Sequence, residues 1–121
     1  MSTRNLRYHI IESIKLLASE GEIQLNCFPD YVCKPDEIAN SLGDWLLLYN
    51  NQTKIDDNYA FSQEEIMQIV SIDDYISTFT PKEFTEDSIL KSSRWREIRE
   101  LAMKTLVLLK EEYTYPDAQS I

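Results

Sequence analysis

The residues of this chain best suited to nucleophilic chemistry are two cysteines, Cys27 and Cys33, and a single histidine, His9. A cysteine nucleophile normally needs a base within reach, and that base is most often a histidine. His9 is a candidate base for Cys27 or Cys33, but no oxyanion motif or glycine-rich turn accompanies it. The simpler interpretation leaves His9 half-exposed beside the apolar stripe of a helix and makes both cysteines small buried thiols. The sequence therefore favours structural roles for all three residues.

Metal binding is not predicted either. Zinc sites usually take four ligands at short spacings, whereas Cys27 and Cys33 are separated by five residues and accompanied by one distant histidine. Asp56 and Asp57 lack the alternating ligands and the closing glutamate of a calcium loop. We therefore expect no metal, no cofactor and no catalytic residues, and hence no enzymatic activity.

Asp73 is the one acidic residue that the helical pattern places on a buried face, between Ile66, Val70 and Ile76. A buried carboxylate is costly unless it is paired or hydrogen-bonded. One interpretation gives Asp73 a partner such as Arg99 or a tryptophan indole N–H. The other makes this helix face the border of a binding groove. The sequence alone leaves both interpretations open.

The elements that must position these residues are predicted to be helices. Two glycines and four prolines in 121 residues are too few for the many tight turns of a sandwich or barrel. A first helix is predicted over residues 5–20, with Gly21 as a left-handed stop, followed by an irregular connector over residues 22–34. A second helix starts at Pro35 and ends at Asn50-Asn51, and an exposed polar loop covers residues 52–60.

The second half of the chain carries clear helix-start signals. Ser62 and Glu65 have the spacing of a capping box, and Pro81 limits the helix that follows them. A short helix is predicted over residues 85–91, then a long final helix from Ser92 or Ser93. The apolar side of the final helix is broad, which predicts a central position. We therefore expect an all-α fold, a compact single-domain bundle of about five helices over residues 1–121 with a loose tail at 113–121.

The net charge of −9 is concentrated in the middle of the chain. Residues 21–61 carry seven acidic and two basic residues, and residues 62–90 carry seven acidic and one basic. Nucleic acids and anionic membranes attract proteins of the opposite sign, so neither is an expected partner. A basic protein is the partner that this charge favours. Without a signal peptide or a long apolar run at the start, we expect a cytoplasmic location with reduced cysteines.

Three segments together resemble a known family. The first segment is Phe28–Cys33, followed by Asp36–Ala39 and Asp44-Trp45. The second is Phe61–Glu65, followed by Ile72-Asp73, and the third is Trp95–Ala102. In this order and spacing they resemble small bacterial immunity proteins encoded beside polymorphic toxins, including those of contact-dependent growth inhibition. The resemblance covers roughly residues 25–109. It implies a cytoplasmic protein that binds the C-terminal domain of one cognate toxin and blocks it.

Many such toxins are nucleases, and a ribonuclease is the expected target here. The resemblance implies no catalytic residues, and Trp45 and Trp95 fall on predicted core stripes. An acidic surface would engage the basic cleft of a nuclease by imitating phosphate charge. The candidate partner-binding residues are therefore exposed acids off the core stripes and one loop tyrosine: Glu37, Asp44, Asp56, Asp57, Tyr59 and Asp74.

Two other functions remain open from the sequence. The second hypothesis is a helical adaptor or regulatory subunit that has no toxin partner, since such a protein would also be acidic and lack an active site. A large secreted protein with a variable C-terminal domain, encoded immediately upstream, would favour the immunity hypothesis. A small enzyme that uses Cys27 or Cys33 is the third hypothesis, and rapid, selective alkylation of one thiol would support it.

Overall fold

A computed structural model describes all 121 residues, and its regular structure is entirely helical. The six α-helices are α1 (Thr3–Ala18), α2 (Gly21–Asn26), α3 (Lys34–Asn50), α4 (Gln63–Ile76), α5 (Glu86–Lys91) and α6 (Ser93–Leu108). Short 3₁₀ turns occupy Pro81–Glu83 and Ala118–Ser120. None of the helices combines the length and the apolar character needed to cross a bilayer. The predicted all-α class is confirmed.

Local capping signals fix the helix starts where the sequence predicts them. At the start of α4 the Ser62 hydroxyl accepts from the Glu65 backbone N–H at 3.1 Å. The Glu65 carboxylate accepts in return from the Ser62 N–H at 2.7 Å, which completes the capping box. Pro35 lies in the first turn of α3, and the Thr85 hydroxyl caps α5. The hydroxyls of Ser62 and Thr85 thus accept from backbone N–H groups that have no partner within their helices.

The prediction for Gly21 is wrong. Gly21 does not end α1 in a left-handed conformation but begins α2, and no glycine in the chain has a positive φ. A methyl group added there would lie 3.0 Å from the Ile89 carbonyl oxygen and 3.0 Å from the Arg99 guanidinium. The glycine therefore allows α2 and α5 to approach closely. The connector predicted over residues 22–34 is likewise helical up to Asn26.

The core lies mainly between α1 and the two helices α6 and α3, and α6 also packs against α4 and α5. Trp95, Ile98 and Ala102 of α6 are fully buried, which agrees with the predicted central position of this helix. Helix α1 shares that position, because it is buried on more sides than its predicted apolar stripe. Even the polar residues Glu12 and Ser13 are buried. A second layer must therefore cover the polar side of α1.

That layer is the tail, residues 113–121, which the sequence predicts to be loose. In the structure the tail lies along α1 and makes a series of hydrogen bonds to it. The α1 residues in these bonds are Tyr8, His9, Glu12 and Lys15, and Ser19, which follows the end of α1, makes one more. The 3₁₀ turn of the tail and the segment before it thus join the bundle surface. The tail is a docked segment rather than a free one.

Candidate protein-binding groove

A groove of about 170 Å³ opens on the outer side of α3. We call it the α3 groove and define it by seven lining residues: Phe28, Glu37, Ser41, Asp44, Trp45, Leu48 and Ile121. Phe28 comes from the segment between α2 and α3, and Ile121 comes from the tail. The other five residues belong to α3. Three separate parts of the chain therefore build this site.

Helix α3 presents its groove residues because their spacing matches the helical repeat. Glu37, Ser41, Asp44 and Leu48 follow each other at four, three and four residues, so they share one face of the helix. The buried face carries Ile38, Leu42, Leu46 and Tyr49. At 1.5 Å of rise per residue, the backbones of Glu37 and Asp44 are about 10 Å apart. The groove thus has an acidic residue in each half.

Trp45 forms part of the groove wall, and His9 holds it in place. The two rings are stacked, with centroids 4.0 Å apart and planes inclined by 5°. Nδ1 of His9 lies 2.7 Å from the Ser120 carbonyl oxygen. Because a carbonyl oxygen only accepts, Nδ1 carries the hydrogen of this bond. The predicted core position of Trp45 is only partly correct, since its indole is half-buried and also faces the groove.

Neither cysteine is hydrogen-bonded to His9, the candidate base. The hydrogen bond of His9 goes to the tail, and Cys27 is half-buried beside the core while Cys33 is exposed. Burial raises the pKa of the Cys27 thiol. A raised pKa lowers the thiolate fraction at neutral pH, whereas reactive cysteines have lowered values. Cys27 therefore has the environment of a packing residue.

Asp73 has neither of the partners predicted for it. The Arg99 guanidinium donates to the backbone carbonyls of Ser19 and Ile89, and the Trp95 indole donates to the carbonyl of Glu83. Asp73 instead lies half-buried against α3 at Gly43, where an added methyl group would come within 2.9 Å of its carboxylate. That close approach is possible because Gly43 has no side chain.

The acids of α3 and α4 lie close enough to repel one another. The pKa of Asp73 is raised, first by burial and then by the charges of Asp74 and Asp44. Like charges nearby disfavour ionisation, so this effect links the α3 groove to the adjoining acids of α4. Asp73 lies at the contact between α4 and Gly43 of α3 and is not among the residues that line the groove.

The acids of α3 and α4 also have no cation of their own. The four ion pairs of the chain are Lys15–Glu12, Lys34–Asp30, Lys91–Asp87 and Arg94–Glu83. Glu37, Asp44, Asp73 and Asp74 take part in none of them. Lys34, one turn before Glu37 on α3, is held by Asp30 at 3.0 Å. The negative charge of this surface is therefore available to a partner.

The remaining candidates form a separate group beyond the C-terminal end of α3. The Asp56 backbone N–H donates to the Thr3 hydroxyl at 3.0 Å, which ties the loop to the start of α1. The Tyr59 ring is half-buried with the Arg4 guanidinium 5.7 Å from its centroid. Asp57 lines a separate surface depression that also contains Arg4. The structure therefore brings Glu37 and Asp44 together in one groove, but not with Asp56, Asp57 or Tyr59. Asp74 is exposed on α4 next to Asp73 and does not line the groove.

The apolar part of the α3 groove was not predicted. Leu48 is 51% exposed and its neighbour Leu47 is 62% exposed, although both lie in a continuous apolar run from Trp45 to Tyr49. One helix stripe cannot bury five consecutive residues, so that run was a signal for an exposed apolar surface. Phe28 and Ile121 gave no comparable signal, because their place depends on how distant segments pack.

Comparison with protein-family models, with curated proteins and with solved structures finds no match to this chain. The resemblance to toxin-immunity proteins therefore remains a prediction that the sequence motifs alone support. Among the side chains, no group of three or more His, Cys, Asp or Glu residues is arranged to hold a metal ion. The α3 groove, with its unpaired acids and exposed apolar residues, is the best candidate for a functional site.

Proposed function

We propose that this protein is an immunity protein that binds the C-terminal domain of a cognate toxin through the α3 groove. The observation that carries the proposal is that Glu37 and Asp44 line an open, partly apolar groove without any counter-ion in the chain. The sequence resemblance supplies the class of partner. The groove supplies a surface whose charge fits a basic protein.

Charge and apolar area have different roles in this binding. The acids of α3 and α4 attract a basic surface over a distance and speed the encounter. Trp45 and Leu48 supply apolar area that is removed from water when the partner docks. A stable interface needs about 800 Å² on each side, so the contact must extend beyond the groove. The exposed Leu47 continues the surface along α3.

Neutralisation would follow from occlusion. A nuclease holds its substrate with basic residues, and an acidic surface seated on those residues excludes phosphate groups from the same place. The inhibitor needs no chemistry of its own for this effect. A ribonuclease domain is our preferred target, and the net charge of −9 of this chain fits the basic cleft of any nuclease.

The test is co-expression of this chain with the toxin-like domain encoded next to it, followed by a growth assay and co-purification. The decisive comparison uses two variants that remove the same charge. The groove variant combines Glu37→Gln with Asp44→Asn, and the loop variant combines Asp56→Asn with Asp57→Asn. We expect the groove variant to lose protection and the loop variant to keep it.

Two results would contradict the proposal. If neither growth rescue nor a complex is obtained with both proteins folded, the protein is not an immunity protein for that domain, and the adaptor hypothesis gains support. If a complex forms but the groove and loop variants behave alike, the toxin partner stands and the α3 groove is the wrong surface. Circular dichroism of both variants checks that the fold is unchanged.

A further inference from the structure

We infer that the α3 groove receives an arginine side chain of the partner, whose guanidinium pairs with the Asp44 carboxylate and lies against the Trp45 indole. This inference rests on the proposed function for the source of the arginine, but the groove itself can be tested without the toxin. It names the chemical group that the site recognises. The argument depends on charge, on the indole and on the rigidity of the wall.

The first step is that the occupant is a cation. The two groove acids, Glu37 and Asp44, are exposed and unpaired, and the nearby lysine of α3 is already held by Asp30. Asp73 adds negative charge from α4 on the side of Gly43. A cation in the groove would relieve the repulsion among these carboxylates as well as pair with one of them.

The second step is that arginine fits better than lysine. The guanidinium is planar, binds a carboxylate through two parallel N–H groups and stacks on aromatic faces, whereas an ammonium is a compact and strongly hydrated charge. Tryptophan is the aromatic side chain that attracts cations best. Phe28 and Leu48 line the same groove and offer apolar contact to the methylene stem of arginine.

The third step is that the indole is held ready. His9 covers one side of the Trp45 ring, and the hydrogen bond from His9 to the Ser120 carbonyl fixes the imidazole. A side chain that is already ordered loses less conformational entropy on binding. Glu37 lies too far along α3 to share a single guanidinium with Asp44 at short range. Glu37 therefore adds negative charge in the other half of the groove.

The experiment is an NMR titration of the full chain with N-acetyl-arginine amide, and in parallel with N-acetyl-lysine amide. The chain has two indole N–H signals, and Trp45→Phe assigns them. The Trp95 indole is buried and bonded to the Glu83 carbonyl at 2.8 Å, so it serves as the internal control. We expect the arginine compound to shift the Trp45 signal in a saturable way and to bind at least ~3-fold tighter than the lysine compound.

Asp44→Asn should weaken the arginine response several-fold, whereas the matched Asp57→Asn variant should leave it unchanged. The inference is overturned if the Trp45 signal does not respond, if lysine and arginine act alike, or if Asp44→Asn has no effect. These outcomes are independent of the toxin. If the groove binds arginine but the protein gives no protection against the toxin, only the proposed function is refuted. If the protein protects the cell but the groove does not bind arginine, only this inference is refuted.

Discussion

Glu12 connects the stability of the bundle to the shape of the α3 groove. It is 5% exposed, and its carboxylate accepts from the Asp117 backbone N–H at 2.8 Å while pairing with Lys15 at 3.1 Å. The first of these bonds holds the tail on α1, and the end of the tail supplies both Ile121 of the groove wall and the carbonyl that positions His9. Glu12→Ala should therefore loosen the tail and release the wall of the groove.

The size of the effect follows from the two interactions. A hydrogen bond to a charged group stabilises by about 1.5–3 kcal/mol, and a helical ion pair adds about 0.3 kcal/mol. Part of this loss of stability, a few tenths of a kcal/mol or more, is offset because alanine has the better helix propensity and because the substitution removes a buried charge. We expect Glu12→Ala to lower the free energy of unfolding by about 2 kcal/mol. Glu12→Gln keeps an acceptor for the Asp117 N–H, so it should cost about 1 kcal/mol.

Urea unfolding followed by far-UV circular dichroism measures both values. In a chain of this size, the larger one corresponds to a fall of roughly 8 °C in Tm. The Trp45 indole signal reports the groove in the same samples. The reasoning is refuted if Glu12→Ala unfolds with the wild-type midpoint, or if it is destabilised while the Trp45 signal stays unchanged. The second result would mean that the tail does not position His9 and Trp45.

Three further predictions test other parts of the account. Gly21→Ala should lower the free energy of unfolding by about 1–2 kcal/mol because the added methyl group meets the Ile89 carbonyl, and a neutral or stabilising result in urea would exclude that close approach. Asp73→Asn should raise the free energy of unfolding by about 0.5 kcal/mol at pH 7, since it removes a charge that burial and then repulsion by Asp74 and Asp44 disfavour. The raised pKa means that the fold favours the protonated acid, so this gain should shrink as the pH falls through the raised value toward the ordinary 3.8; a gain that grows in acid would contradict it. Cys27 should react with iodoacetamide more slowly than Cys33 at pH 7, and the reverse order would revive the enzyme hypothesis.

Features set by neighbouring residues in the chain were predictable from the sequence. The capping box of Ser62 and Glu65, the first-turn Pro35 and the Thr85 cap each act over three or four residues, so their pattern is visible in the sequence. The placement of Glu37 and Asp44 on one face of α3 is a property of the helical repeat alone. These local rules predicted five of the six helices, all but α2, and the shared face of the two groove acids.

Features that depend on distant segments were not predictable in the same way. Gly21 allows a close contact with α5, almost 70 residues further along the chain, and only the packed structure reveals that need. Asp56 and Asp57 were grouped with the α3 acids by charge, but the loop leads them to the start of α1. Charge sums along a sequence do not specify where the charges meet in space.

The docked tail is an intermediate case, because the sequence held a signal for it. Tyr8, Glu12, Lys15 and Ser19 follow each other at four, three and four residues, which is the spacing of one helix face. A polar stripe on a helix usually faces water. Here it lies beside apolar residues on an otherwise buried helix, so it needs partners, and the tail supplies them. The stripe could have indicated a covering segment, but the tail was predicted to be loose.

The most direct test of the central claim is the affinity of the cognate toxin domain for this protein as a function of salt concentration. Wild type, the groove variant (Glu37→Gln with Asp44→Asn) and the loop variant (Asp56→Asn with Asp57→Asn) are compared by calorimetry. We expect the groove variant to bind about tenfold or more weakly at low salt and to depend less on salt, while the loop variant follows wild type. Equal affinities and equal salt dependence for all three proteins would show that the α3 groove does not hold the toxin.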